Sequence, residues 1–325
     1  MKVLITGISG FVGSHLAEYL VDEKNCEVFG LVRHRSNLEN LKNLKGKISL
    51  IEGNIVDSHS VDRMMKEVSF DKVFHLAGQC CVPYSWLVPQ ETFNVNVNGT
   101  INILEAVKKY ASTAIVLIVG TSEEYGLVKE DEIPIKETNQ LRPVSPYGVS
   151  KVAEDLLGWQ YFKSFGLRTV RSRAFNHEGP RRGKEFVISQ FIQQALNVKS
   201  GKSNEIKVGN LEAVRDFTNV KDIVRAYWLA TEKCEYGEVY NICSGIGWRI
   251  RDVLDMVIRF IFGLSIEGYL EKYVLTVDME RVRPSDVPIA IGDCSKFIEK
   301  TGWEREYGLP CAIEDMIEYF ESINV

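Results

Sequence analysis

Lys2-Val3-Leu4-Ile5-Thr6-Gly7-Ile8-Ser9-Gly10-Phe11-Val12-Gly13-Ser14-His15-Leu16-Ala17-Glu18-Tyr19-Leu20 decides the fold. Its first five residues are apolar or β-branched and read as a short buried strand. Its last seven have helical periodicity. Between them stand three glycines, spaced G-x-x-G-x-x-G. Glycines let a backbone approach a pyrophosphate closely, and the N-terminus of the following helix faces the negative charge. Strand, glycine turn and helix together open a dinucleotide-binding unit, although the usual fingerprint is G-x-G-x-x-G. Gly7, Gly10, Phe11, Val12 and Gly13 are therefore candidate cofactor contacts.

Working outward, Glu27-Val28-Phe29-Gly30-Leu31-Val32 reads as a second strand. NAD sites place Asp or Glu at the end of this strand to hold a ribose hydroxyl. This chain has Arg33-His34-Arg35-Ser36 instead. The guanidinium groups of Arg33 and Arg35 suit a 2′-phosphate that a carboxylate would repel, which favours NADP, with NAD as the alternative. The competing reading of the segment is a solvated basic loop. Three further strands fit the same sheet: Ile48–Asn54, Lys72–Gly78 and the very apolar Ala114–Gly120. The first leads into Asn54 and Ile55 and the second into Leu76, Ala77 and Gly78, all placed as cofactor neighbours. Thr92–Lys109 has apolar residues on one helical face.

Alternating strands and helices predict an α/β fold: a doubly wound parallel-sheet Rossmann domain with a smaller α+β substrate-binding lobe. The second half is expected to alternate between the two, with a strand near Lys207–Asn210, helices at Val220–Thr231, Ile250–Phe262 and Ile313–Ile323, and a strand at Glu238–Ile242. The expected division gives residues 1–175 and about 214–243 to the Rossmann domain and about 176–213 and 244–325 to the lobe. A ligand belongs in the cleft between them. A net charge of −5 argues against general nucleic-acid binding. No apolar run is long enough for a membrane span, and no signal peptide is expected. The seven cysteines form no paired framework, which points to reduced thiols and a cytoplasmic protein. The five histidines are scattered, so no metal site is expected.

Two segments carry chemistry. In Ser145-Pro146-Tyr147-Gly148-Val149-Ser150-Lys151, Tyr147 and Lys151 lie four apart on one helical face. A free phenol has a pKa of about 10. A lysine beside it is expected to favour the phenolate and make it a usable acid/base. Chance alone also places such pairs on ordinary amphipathic helices. In Gly120-Thr121-Ser122-Glu123-Glu124-Tyr125-Gly126, at a strand end, Thr121 or Ser122 can donate to a substrate oxygen. Glu123 is a candidate carboxylate base, and Glu124 is expected to be a solvated loop charge. His177 is expected to have a structural hydrogen-bonding role.

The glycine triplet, T-S-E-E-Y-G and S-P-Y-G-V-S-K together resemble the extended short-chain dehydrogenase/reductase superfamily over nearly the whole chain. Within it the chain resembles the enzymes of GDP-linked sugars, the GDP-mannose 4,6-dehydratases and the GDP-4-keto-6-deoxymannose reductases. Thr121-Ser122-Glu123 and Asn176-His177-Glu178-Gly179-Pro180-Arg181-Arg182-Gly183 are similar to the dehydratases, with a departure at Gly179, although reductases of this group can carry S-S-E-E-Y-G, so Glu123 does not by itself separate the two. Asn139–Gly148, Val208–Thr218, Ser85-Trp86 and Tyr240–Gly245 lean to the reductases. The resemblance implies Thr121, Glu123, Tyr147 and Lys151 as catalytic residues. It implies Ser122, Asn176, Val187, Arg215 and Arg283 as substrate contacts, with the two arginines on a nucleotide diphosphate. For Arg215, a salt bridge to Asp216 is the structural alternative. Arg181 and Arg182 would serve a subunit contact in a homodimer or homotetramer. A dehydratase would oxidise the hexose at C4, remove water across C5–C6 and return hydride to C6. A reductase would consume NADPH at a C4 ketone. A silent nucleotide-binding regulator is the third reading.

Overall fold

Residues 1–279 and 287–323 are described by the computed structural model. The strands of the first half are β1 (Lys2–Thr6), β2 (Glu27–Val32), β3 (Ser49–Glu52), β4 (Lys72–His75), β5 (Ile115–Thr121) and β6 (Arg168–Ala174). The second half adds β7 (Asn176–Glu178), β8 (Glu205–Val208), β9 (Val214–Asn219), β10 (Val239–Ile242), β11 (Gly247–Arg249), β12 (Val274–Val277) and β13 (Ile289–Ala290). Seven strands form one sheet in the order β10-β6-β5-β4-β1-β2-β3. Every pairing in it is parallel. Strands buried on both faces need apolar residues at successive positions. Accordingly Val3 and Ile5 face one core while Leu4 faces the other.

The helices that matter here are α1 (Phe11–Asp22), α2 (Ser58–Glu67), α3 (Val82–Leu87), α4 (Pro89–Phe93), α5 (Gly99–Tyr110), α6 (Pro146–Phe165), α7 (Val187–Lys199), α8 (Val220–Lys233) and α9 (Ile250–Phe262). Residues of α1 and α8 pack into the core on the Val3 face, and residues of α2 and α5 into that on the Leu4 face. Asn219 caps α8 by accepting from Lys221 N at 2.9 Å. α4 runs through one π turn, Asn94–Asn98, into α5. A separate core gathers α7, α9 and the helix Leu309–Ile323. It lies with a small sheet in which β9 pairs β7, β11 and β13, and with the pair β8–β12. Among the described residues no helix is long and apolar enough to cross a membrane.

Of the seven-stranded sheet, the strand absent from the sequence reading is β6; β7, β9, β11, β12 and β13, outside that sheet, are absent from that reading too. The sequence of β6, Arg-Thr-Val-Arg-Ser-Arg-Ala, reads as polar. It nevertheless pairs with β5 and β10, with Arg171 and Arg173 buried. Both guanidinium groups bond Asp155 of α6, at 3.1 and 2.6 Å. Burying charged residues is tolerated when each is paired and hydrogen-bonded.

Candidate active site

The cofactor side is made largely of backbone. Gly7 has φ +72°, and a Cβ there would lie 2.9 Å from the Ala77 nitrogen. A Cβ on Gly13 would run into the Gly7 carbonyl and the Ile8 backbone. Thr6 Oγ1 accepts from the Leu76 and Ala77 N–H groups at 3.1 and 3.0 Å, which draws the ends of β1 and β4 together. Gly10 N donates to Gly7 O at 3.0 Å, and Asn40 Nδ2 ties down Ser9 O at 3.0 Å. α1 then begins after Gly10 with no side-chain cap and no acidic residue in its first turn. Its leading N–H groups, the glycine approach and the helix dipole fit a dinucleotide pyrophosphate.

The other predicted cofactor residues surround this turn. Phe11 stacks on His177, with ring centroids 6.0 Å apart, and Arg182 lies 5.1 Å over its ring. Arg33 and Arg35 are exposed in a short turn closed by Ser36, with Arg35 at φ +60°. Asn54 follows β3 and accepts from Val56 N at 3.2 Å, while Ile55 is buried and its carbonyl accepts from Asn102 at 2.8 Å. Gly78 leaves room for Asn96, whose Oδ1 would stand 3.1 Å from a Cβ at that position.

The acid/base residues sit on α6, whose N-cap Ser145 accepts from Gly148 N at 3.0 Å. Tyr147 is buried. Burial pushes its phenol well above the usual value, Cys80, Glu154 and Glu123 push the same way, and the Thr121 side chain beside it eases its ionisation slightly. Lys151 Nζ donates to Val119 O at 2.6 Å and to Glu154 Oε2 at 2.6 Å. The expected pull of Lys151 on Tyr147 towards phenolate, which an oxidised nicotinamide would share, is opposed here by burial, and the Lys151 charge is paired with Glu154.

A buried polar chain supports this pair from behind. His75 joins Thr6 Oγ1 at 2.9 Å and Thr100 Oγ1 at 3.0 Å. Asn96, in the π turn, donates to Ser150 Oγ at 2.9 Å, and Ser150 donates to Tyr147 O at 2.7 Å. Burial, then Lys151, lowers the His75 imidazole to about 3, so it is neutral. None of these supports was singled out from sequence. A π turn at this point was the available signal only in three dimensions.

The adjacent glutamates divide sharply. Glu123 lines the cleft with Ser122, Trp86, Asn176 and Arg215. Glu124, expected in solvent, is fully buried. Its Oε1 accepts from Thr121 N at 2.8 Å and its Oε2 from Arg173 Nε at 3.0 Å. The 3₁₀ turn Ser122–Glu124 therefore points one carboxylate at the cleft and locks the next beneath β5, because successive residues in a tight turn face different directions.

On the substrate side, Arg215 donates to Val214 O at 2.9 Å, and β9 carries it to the cleft. Asp216, the alternative partner, instead accepts from Ser244 N, Ser244 Oγ and Gly245 N at 2.8, 2.6 and 2.8 Å. Asn176 on β7 borders the same cleft. Val187 does not line it and packs against the lobe core. Arg283 lies outside the described residues. His177 has the structural role expected, with Nδ1 2.9 Å from Phe175 O. Arg181 binds Glu18 at 2.6 Å, and Arg182 stacks on Phe186 at 3.4 Å. Among the described residues no group of three or more His, Cys, Asp or Glu is placed to hold a metal ion.

A parallel seven-stranded sheet, a glycine turn closed onto β4 and a Tyr-x-x-x-Lys helix beside a Thr-Ser-Glu turn define an extended short-chain dehydrogenase/reductase. The profile of the GDP-mannose 4,6 dehydratase family matches residues 4–316, and the chain belongs to that family. It is 33% identical to a GDP-mannose 4,6-dehydratase of Vibrio cholerae serotype O1, over 97% of this chain and 92% of that protein. It is 30% identical to a GDP-6-deoxy-D-mannose reductase of Pseudomonas aeruginosa, over 99% and 97%. A solved structure described as RMD from Pseudomonas aeruginosa complexed with NADPH superposes with a TM-score of 0.83 at 28% identity, covering 99% of both chains.

Proposed function

We propose that this protein is an NADP-dependent GDP-mannose 4,6-dehydratase. The observation that carries the reading is Glu123, a carboxylate that lines the same cleft as Asn176 and Arg215 and whose N–H is held by Thr121 Oγ1. A ketone reductase has no chemical task for it. Bound nicotinamide would supply the hydride acceptor for C4 and the donor for C6. The chain's own groups do the rest. Thr121 donates to the C4 oxygen, and Tyr147, as the phenolate that the positive charge of a bound oxidised nicotinamide would favour against burial, takes the C4 hydroxyl proton. The C4 ketone acidifies C5–H. Glu123 takes that proton and delivers one to the departing C6 hydroxyl, which leaves as water. When hydride is given back to C6, Tyr147 returns its proton to C5, so the acid/base is restored and no net oxidant is consumed. Lys151 positions the nicotinamide ribose, Asn176 the sugar, and Arg215 the diphosphate oxygens. Arg33 and Arg35 favour NADP because no carboxylate closes β2.

The reductase remains the second reading, supported by the near equal length and 30% identity of the Pseudomonas aeruginosa relative. The two part on stoichiometry. With GDP-mannose and catalytic NADP, the dehydratase gives a product lighter by one water and no lasting signal of reduced nicotinamide. Glu123→Gln then lowers water loss by roughly a hundredfold or more, the ordinary worth of a positioned proton-transfer group. Inert GDP-mannose, with NADPH oxidation on a 4-keto-6-deoxy sugar that Glu123→Gln leaves intact, would establish the reductase instead.

A further inference from the structure

Glu154 has no task in the chemistry above, yet it lies on the same stripe of α6 as the acid/base pair. Tyr147, Lys151 and Glu154 are spaced i, i+4, i+7, so all three side chains project from one face. The Lys151–Glu154 pair is among the most buried in the molecule, with side chains 9% and 1% exposed. Its neighbour Asp155 shows what a purely structural carboxylate looks like here. Asp155 is equally buried, and both of its oxygens are taken, one by Arg171 and one by Arg173. Glu154 is different: Oε2 holds Lys151, while Oε1 is buried without a hydrogen-bond partner among the described residues. A buried carboxylate oxygen left unmatched is costly, and such costs cluster at functional sites.

We propose that Glu154 is a positioning residue of the acid/base site, which holds the Lys151 ammonium against the Val119 carbonyl and offsets its charge, so that Tyr147 keeps its proton more tightly than a tyrosine–lysine pair alone would. This rests on the reading of Tyr147 as the acid/base. Geometry leaves Lys151, with three donors, one N–H to turn towards the cleft after Val119 O and Glu154 are served. The surrounding charges do not replace Glu154. Arg171 and Arg173 on β6 are committed to Asp155 and Glu124. Glu124 is held by Thr121 N and Arg173, and His75 on β4 is neutral. Glu105 on α5 pairs with Lys108 and Tyr161. Burial, then Cys80, Glu154 and Glu123, oppose the ionisation of Tyr147. Burial also brings the Glu154 carboxyl up to about 7, within the range where its charge responds to pH.

The test is a spectroscopic titration of the holoenzyme with oxidised NADP bound and no sugar. Tyrosinate absorbance is followed against pH, and the signal of Tyr147 is isolated by subtracting a Tyr147→Phe control. Glu154→Gln keeps an acceptor for Lys151 and the side-chain volume but removes the charge. The expected result is a midpoint about one pH unit lower, a roughly tenfold weaker hold on the proton. Glu154→Asp withdraws the carboxylate by one methylene and is expected to shift the midpoint in the same direction by less; it serves if Glu154→Gln does not fold. Coincident midpoints in folded variants, with only thermal stability changed, would overturn the proposal and leave Glu154 a structural ion pair. Absence of any Tyr147 signal in the wild-type holoenzyme would instead remove the acid/base reading, and this proposal with it.

Discussion

The proposed cofactor wall of the site is made largely of backbone, and its proposed substrate wall of side chains. On the first, Gly7 and Gly13 matter for the atoms they lack, and Thr6 holds the turn against β4 through two N–H groups. Its parts come from two short segments at neighbouring strand ends. On the second, Trp86, Glu123, Asn176 and Arg215 arrive from α3, the turn after β5, β7 and β9. Segments so far apart meet only when the small sheet assembles around β9. A backbone wall admits few substitutions and so binds a constant group. A side-chain wall can be retuned one residue at a time, which suits the variable sugar.

The sharpest way to break this contrast is Gly13→Ala. The added methyl has the Gly7 carbonyl and the Ile8 backbone in its way, and neither can rotate aside. The turn must open, and NADP affinity should fall at least a hundredfold, about 3 kcal/mol. Calorimetric titration with NADP checks it. Near wild-type affinity in a folded variant would show that the turn is not limited by backbone contact.

Arg215→Met tests the opposite wall with a smaller effect. Loss of a charge-assisted contact to a diphosphate should weaken GDP-mannose binding by roughly tenfold to a hundredfold, about 1.5–3 kcal/mol. NADP affinity should not change. If both ligands weaken together, β9 supports the cofactor as well, and the two walls are not separable.

The same contrast explains what could be read from sequence. Local features were legible: the strand–glycine–helix start, the Asn219 cap and the limits of α9 at Ile250–Phe262 all depend on neighbours in the chain. Motif and spacing also put Thr121 and Glu123 at the end of β5 and Tyr147 and Lys151 on α6, and their catalytic roles are part of the proposal. What depends on distant partners was not. β6 was hidden because Arg171 and Arg173 look solvent-facing until Asp155 and Glu124 are brought to them. Glu124 was misplaced for the same reason. Val187 was assigned to the substrate by resemblance, yet its helix turns it to the lobe core. Lys151 was read as tuning Tyr147 and holding the nicotinamide ribose, and its bonds to Val119 and Glu154 were not foreseen.

Arg35→Ala probes a place where the cofactor wall would use exposed charged side chains, and it should give the smallest effect. Arg33 and Arg35 stand in a closed turn beyond β2, both exposed. An exposed guanidinium on a phosphate is screened by water and salt, so its contribution is about 1 kcal/mol. Removing Arg35 should therefore reduce the preference for NADP over NAD by roughly fivefold to tenfold, chiefly by weakening NADP. Because the contact is electrostatic and exposed, the wild-type preference should also shrink as salt is raised, and the variant's should shrink less. Competitive titrations at low and high ionic strength measure both. An unchanged preference at low salt would mean that the turn is merely a solvated basic loop. NAD would then be the cofactor to test first, and the backbone wall would carry cofactor binding without help from any charged side chain.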